Sequence, residues 1–169
     1  VVYMSGAFFT PGNVTPAAEF NWWADPEAAQ IALRAPFAEQ IIFGLDVCEK
    51  VIFTKDNYDR LLKVMGKGPQ SDMLKKTFIG QSFAKDPNFR FFVWDVLVAA
   101  AIIDPSIITS EKLLPVDINT QFGISYGQSL AFEGQAPLGA QKARIVLDVD
   151  KKRFWDMVCD EKYWTGKKN

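Results

Sequence analysis

Apolar positions in this chain fall into short blocks separated by Gly, Pro and charged residues, and the blocks alternate between strand-like and helix-like spacing. Val1 to Phe9 reads as a strand already in progress, followed from Thr10 to Asn21 by a Gly- and Pro-punctuated loop with a short turn. Asp25-Pro26-Glu27 predicts a helix running to about Leu33: Asp25 suits the N-cap, and Pro26 the first helical position, where a missing N–H costs nothing. Ile41 to Val47 reads as a short buried strand that suits a parallel sheet better than an exposed hairpin.

Thr54 or Asp56 caps a helix to about Val64, and Ser71 or Asp72 another to about Phe83, with Gly66-Lys67-Gly68-Pro69 between them. A further helix begins near Asp95 and stops before Asp104-Pro105. The C-terminal third holds Phe122-Gly-Ile-Ser-Tyr-Gly127, an alternating stretch from Ala143 to Asp150, and an amphipathic helix from about Lys151 to Cys159. With no internal repeat and no low-complexity linker, the pattern predicts one α/β unit without a second autonomous domain.

Composition narrows the class. A chain of 169 residues, 49% hydrophobic and 23% charged, suits a soluble globular protein with one core. The net charge is −1, from 19 basic and 20 acidic side chains, and no basic cluster is interleaved with aromatics, which argues against a nucleic-acid partner. Lys167-Lys168 reads as a solvated tail. The apolar runs Phe91 to Trp94 and Val96 to Ile103 are broken by Asp95 and Asp104 and fall short of the roughly 20 residues that span a bilayer, so no membrane segment is expected. Cys48 and Cys159 lack metal-ligand spacing and read as buried free thiols. Val1-Val2-Tyr3-Met4 resembles neither a signal peptide nor a natural start, so a preceding segment is expected to have been removed or to reside in another chain. Cytoplasm is the preferred compartment and secretion the alternative.

The chain has no histidine, so the usual imidazole acid, base and metal ligand are missing from it. Carboxylates, amides and aromatics remain. Asp95, in the first turn of its helix, is placed to hold a hard cation such as Ca2+, and Asn13, Glu19 and Asn21 suit the hydroxyls of a polyol. The same residue types are equally at home in turns and helix caps.

The wording of the motifs adds a resemblance. Met4-Ser-Gly-Ala-Phe, Gly12-Asn-Val-Thr-Pro-Ala-Ala-Glu-Phe-Asn21, Ala24-Asp-Pro-Glu-Ala-Ala29, Gly44-Leu-Asp-Val47, and Trp94-Asp95 followed by Ile103-Asp-Pro-Ser106 resemble, in order and spacing, the inosine-uridine-preferring nucleoside hydrolase family. The resemblance covers almost the whole chain and identifies residues 1–169 as the C-terminal half of a single domain of that type. It implies an open, mostly parallel α/β sheet, incomplete in this chain, and hydrolysis of the N-glycosidic bond of ribonucleosides around bound Ca2+. Asn13, Glu19 and Asn21 resemble the family residues that hold the ribose hydroxyls, with Met4 lining the ribose pocket and Asp95 corresponding to the C-terminal calcium aspartate.

Many members carry histidine where this chain has Trp94, which is similar to the purine-specific (inosine-adenosine-guanosine-preferring) branch. Indole cannot usefully deliver a proton, so leaving-group activation must be arranged differently; the resemblance to that branch implies that Trp94 stacks on the base of a purine ribonucleoside and makes the base easier to protonate. Trp22 and Trp23 are expected to pack against the sheet or the following helix. The family's Asp-rich N-terminal motif has no counterpart here, which leads to the expectation of a separate or cleaved N-terminal chain supplying the catalytic aspartate. On that reading the enzyme is a calcium-dependent assembly, open to further oligomerisation, and this chain alone is inactive. The alternative is a non-catalytic binding or structural protein that keeps the scaffold.

Overall fold

Asp25 and Pro26 do what their chemistry dictates. The Asp25 carboxylate accepts from the Ala28 amide at 2.9 Å, and Pro26 opens the helix that follows. The structure, a computed structural model, describes residues 1–164; Lys167-Lys168 lies outside them. In chain order the elements are β1 (Val2–Met4), α1 (Phe20–Ala24), α2 (Pro26–Arg34), β2 (Ile41–Phe43), α3 (Leu45–Cys48), β3 (Ile52–Phe53), α4 (Lys55–Met65) and α5 (Pro69–Lys76). They continue with α6 (Phe78–Lys85), β4 (Phe91–Phe92), α7 (Asp95–Ile103), β5 (Ile108–Ile118), β6 (Ser129–Ala131), β7 (Gln141–Val149) and α8 (Lys151–Val158).

Five strands form one sheet in the order β1-β2-β7-β5-β6. The segments around Val2 and Ile41 are neighbouring strands, parallel as the apolar block at Ile41 suggests, with Tyr3 opposite Ile42. The sheet is mixed and not mostly parallel: β2 and β7 run parallel, whereas β5 runs antiparallel to both β7 and β6. The expectation of a sheet left incomplete in this chain is also corrected. Alternate residues of β2 and β7 enter two separate cores, Phe43 and Val146 on one face with Leu97 and Phe154, Ile42 and Ile145 on the other with Trp22 and Leu33. Both faces are therefore packed.

Three predicted elements are shorter or divided. The strand from Val1 ends at Met4 because Gly6 takes a φ of 86°, a turn that an L-residue adopts only at a cost. The strand from Ile41 ends at Phe43, where Gly44 becomes the N-cap of α3. The helix expected from Ser71 to Phe83 is two: Thr77, extended at φ −66° and ψ 162°, closes α5 and caps α6 through a 3.2 Å bond from the Gly80 amide to its hydroxyl. For α4, Thr54 is the N-cap. β5 escapes the hydrophobic pattern because its first half is exposed, and only Val116 to Ile118 are buried.

Cys48 and Cys159 are buried free thiols, as the sequence suggests. Burial pushes the Cys48 thiol up from its ordinary value of 9.0 to about 12, helped by the negative charges of Asp95, Glu19, Asp46 and Glu49. A water-soluble thiol reagent at about pH 8 is expected to leave Cys48 unmodified in the folded protein and to label it fully in denaturant, since the thiolate is the reactive form. Rapid labelling of Cys48 in native buffer would show that this part of the core is open.

Candidate functional site

The carboxyl ends of parallel strands are where open α/β sheets leave a crevice for ligands. At the end of β1 the chain turns through Ser5, Gly6 and Ala7, and three of the expected residues meet there. Asn21 donates from its side-chain amide to the Met4 carbonyl at 3.0 Å and to the Met4 sulfur at 3.5 Å. Glu19 accepts from the Gly6 amide at 2.9 Å, from the Asn21 amide at 2.7 Å and from the Trp22 amide at 3.3 Å. Its side chain is 2% exposed, so its carboxylate acts as a clamp between the β1 exit and the first turn of α1. Asn13 reaches the same turn, accepting from the Phe20 amide at 2.9 Å.

Close packing seals the clamp from behind. A Cβ on Gly6 would stand 2.5 Å from the Trp22 ring and 3.1 Å from the Ser129 hydroxyl oxygen. Trp22 is buried against Tyr3 and Phe8, each ring meeting it edge-on. Trp23 differs from expectation, being 38% exposed.

Trp94 and Asp95 come from the other core. The short antiparallel pair β3–β4 places Phe53 opposite Phe91, and the Val93 amide donates to Val51 at 3.2 Å, fixing the segment that leads into α7. Trp94 is the half-buried N-cap residue of α7, with the Phe92 ring centroid 5.2 Å away at an interplanar angle of 61°. Below it lies an apolar cavity of about 320 Å³, bordered by Leu61, Met65, Leu74, Trp155 and Asp95. Asp95 opens α7, as predicted, and is exposed. α7 packs beside β1, and Asp95, Glu19 and Asp46 all push the Cys48 thiol up.

Calcium takes roughly six to eight oxygen ligands. Asp95 supplies one carboxylate, and among the described residues no three His, Cys, Asp or Glu side chains converge on a common point. Nothing among the described residues therefore supports the expected dependence on calcium: they offer a ligand but no cage. The residue that the sequence reading left unassigned is Asp46, 5% exposed, whose two oxygens accept from the Phe8 amide at 3.0 Å and the Phe9 amide at 2.7 Å. The signal was a carboxylate inside an otherwise apolar block, Ile41 to Val47.

A family model described as "Inosine-uridine preferring nucleoside hydrolase" matches residues 1–156. An inosine-uridine preferring nucleoside hydrolase of Leishmania major is 31% identical over 162 residues, 95% of this chain and 50% of that protein. A pyrimidine-specific ribonucleoside hydrolase RihB of Escherichia coli is 32% identical over 165 residues, 94% of this chain and 50% of the relative. The solved inosine-uridine preferring nucleoside hydrolase of Bacillus anthracis superposes with a TM-score of 0.70 at 26% identity, over 95% of this chain and 51% of the other.

The chain spans about half the length of the curated relatives it matches. In those relatives the remaining length belongs to the same polypeptide, which overturns the expectation of a separate N-terminal chain and of inactivity for want of one. Assignment to a C-terminal half of the purine-specific branch is corrected too, since the matching relatives include a pyrimidine-specific enzyme.

Proposed function

Because the chain belongs to the inosine-uridine preferring nucleoside hydrolase family, we propose that it serves hydrolysis of the N-glycosidic bond of ribonucleosides, with ribose seated at the exit of β1 and the base directed toward Trp94. The observation that carries this reading is the meeting of Met4, Glu19 and Asn21 at the carboxyl end of a parallel strand. In the proposal Asn13 and Asn21 present amide groups to the sugar hydroxyls, Met4 gives the ring an apolar wall, and Glu19 joins them through the turn it holds. In the proposal the carboxylates of Glu19, Asp46 and Asp95, each of which acts on the Cys48 thiol, lend the site negative charge. Such a field stabilises positive charge on a ribosyl ring whose bond to the base is breaking.

Trp94 supplies an aromatic face and no useful acid, so in this proposal the departing base takes its proton from elsewhere. Aromatic stacking serves purine and pyrimidine rings alike, so the indole sets no preference by itself. Incubation with inosine, guanosine and uridine, followed by chromatography of free base and ribose, tests the reading. Release from at least one nucleoside is expected. Binding of ribonucleoside with no release would favour the non-catalytic scaffold.

Ca2+ enters the same proposal only through the exposed Asp95 carboxylate. An Asp95→Ala substitution is expected to weaken calcium binding at least about tenfold in equilibrium dialysis, since a hard cation loses a charged oxygen ligand. Equal calcium uptake by the two proteins would remove Asp95 from the role.

A further inference from the structure

Every backbone N–H from Ser5 to Phe9 is taken, and no two successive partners come from one kind of group until Asp46 takes the last pair. Ser5 donates to the Phe43 carbonyl at 3.2 Å, Gly6 to Glu19 at 2.9 Å and Ala7 to the Ser129 hydroxyl oxygen at 3.1 Å. Phe8 and Phe9 donate to the two oxygens of Asp46 at 3.0 Å and 2.7 Å. The adjacent Leu45 amide donates to the Gly6 carbonyl at 2.8 Å, so α3 grips both sides of the turn. Gly44 permits the approach: a Cβ there would stand 2.7 Å from the Gly6 oxygen and 2.8 Å from the Asp46 carboxylate.

From this geometry we infer that Asp46 is a positioning residue for sugar recognition, holding the β1 exit so that the Met4 carbonyl and the Asn21 amide stay in register. Its own hydrogen bonds go to the Phe8 and Phe9 amides, so it acts on that pair through the turn. Glu19 fixes the turn from the α1 side and Asp46 from the α3 side, so the Met4–Asn21 pair is set by two carboxylates on different elements. Charge-assisted bonds to backbone amides are the stronger class of hydrogen bond, and two on one buried carboxylate define an orientation as well as a distance. The inference rests on the proposed ribose site.

The test compares wild type, Asp46→Asn and Asp46→Ala with Thr54→Ala, which removes the cap of α4 and leaves the β1 exit untouched. Each is titrated with D-ribose while NMR follows the Asn21 side-chain amide and the Met4 methyl. Asp46→Asn keeps the shape but offers an N–H to one of two donors, so both signals are expected to move in the free protein and D-ribose affinity to fall about tenfold. Thr54→Ala is expected to lose stability with both signals and affinity unchanged. Signals and affinity in Asp46→Asn matching wild type, or moving no more than in Thr54→Ala, would overturn the inference.

Two outcomes remain decisive if an assay fails. Should wild type itself not bind D-ribose, the proposed function fails, while displacement of the Asn21 and Met4 signals still decides Asp46. Should both Asp46 variants fail to fold, amide exchange in wild type decides: Phe8 and Phe9 exchanging as slowly as Phe43 supports the clamp, and exchange at open-loop rates removes it.

Discussion

Glu19→Ala is expected to lose about 3 kcal/mol of stability and the proposed sugar contacts together, because the same carboxylate serves fold and site. Its removal strands the buried amide of Gly6 and leaves those of Asn21 and Trp22 without their side-chain acceptor. A buried donor without a partner keeps its desolvation cost, and the loss of an N-cap adds roughly 1 kcal/mol. Glu19→Gln should recover part of the stability, since one amide oxygen still accepts while its NH₂ faces another donor. Urea denaturation of the three proteins measures this. A midpoint for Glu19→Ala within error of wild type would mean that the clamp is not formed in solution.

Gly6→Ala is expected to be comparably damaging for a different reason. An L-residue at a left-handed φ costs roughly 1–2 kcal/mol, and overpacking typically adds about 1–3 kcal/mol. Here the added methyl would approach carbon atoms of the Trp22 ring to 2.5 Å and 2.9 Å. The indole is buried between Tyr3, Phe8 and the second core and has no open side to retreat into. Thermal unfolding together with near-UV circular dichroism reads the effect: the melting temperature should fall, and the tryptophan fine structure should change with it. Retention of both would show that the turn relaxes around the methyl.

The parts of the fold legible in the sequence were those set by near neighbours. Asp25 and Pro26 announce α2 because a cap and a preset φ act within one helical turn. Thr54 and Asp95 open their helices for similarly local reasons. Strand lengths were not legible, because an apolar run does not record where the backbone leaves the sheet. Ala7 to Phe9 continues the apolar block of β1, yet Gly6 has already turned the chain. Ile41 to Val47 looks continuous until Gly44 caps a helix.

The site was legible through the wording of its motifs more than through chemistry. Asn13, Glu19 and Asn21 could all be ordinary turn residues, and in the structure each does accept or donate a bond that shapes a turn. The role of Asp46 depends on amides 37 and 38 residues away, which no local pattern encodes.

The place of β7 in the sheet bears on how the protein is made. Gln141 to Val149, near the end of the described chain, lies between β2 and β5 and is the strand that joins them. During synthesis β1 and β2 leave the ribosome long before their central neighbour exists, so Ile42 must wait with its sheet edge unpaired until Ile145 arrives. Pairings that span so much sequence form slowly, and the waiting strands are open to other chains in the interval. Yield in a cell therefore depends on how well nascent β1 and β2 are shielded, and slower translation past residue 150 offers them no remedy.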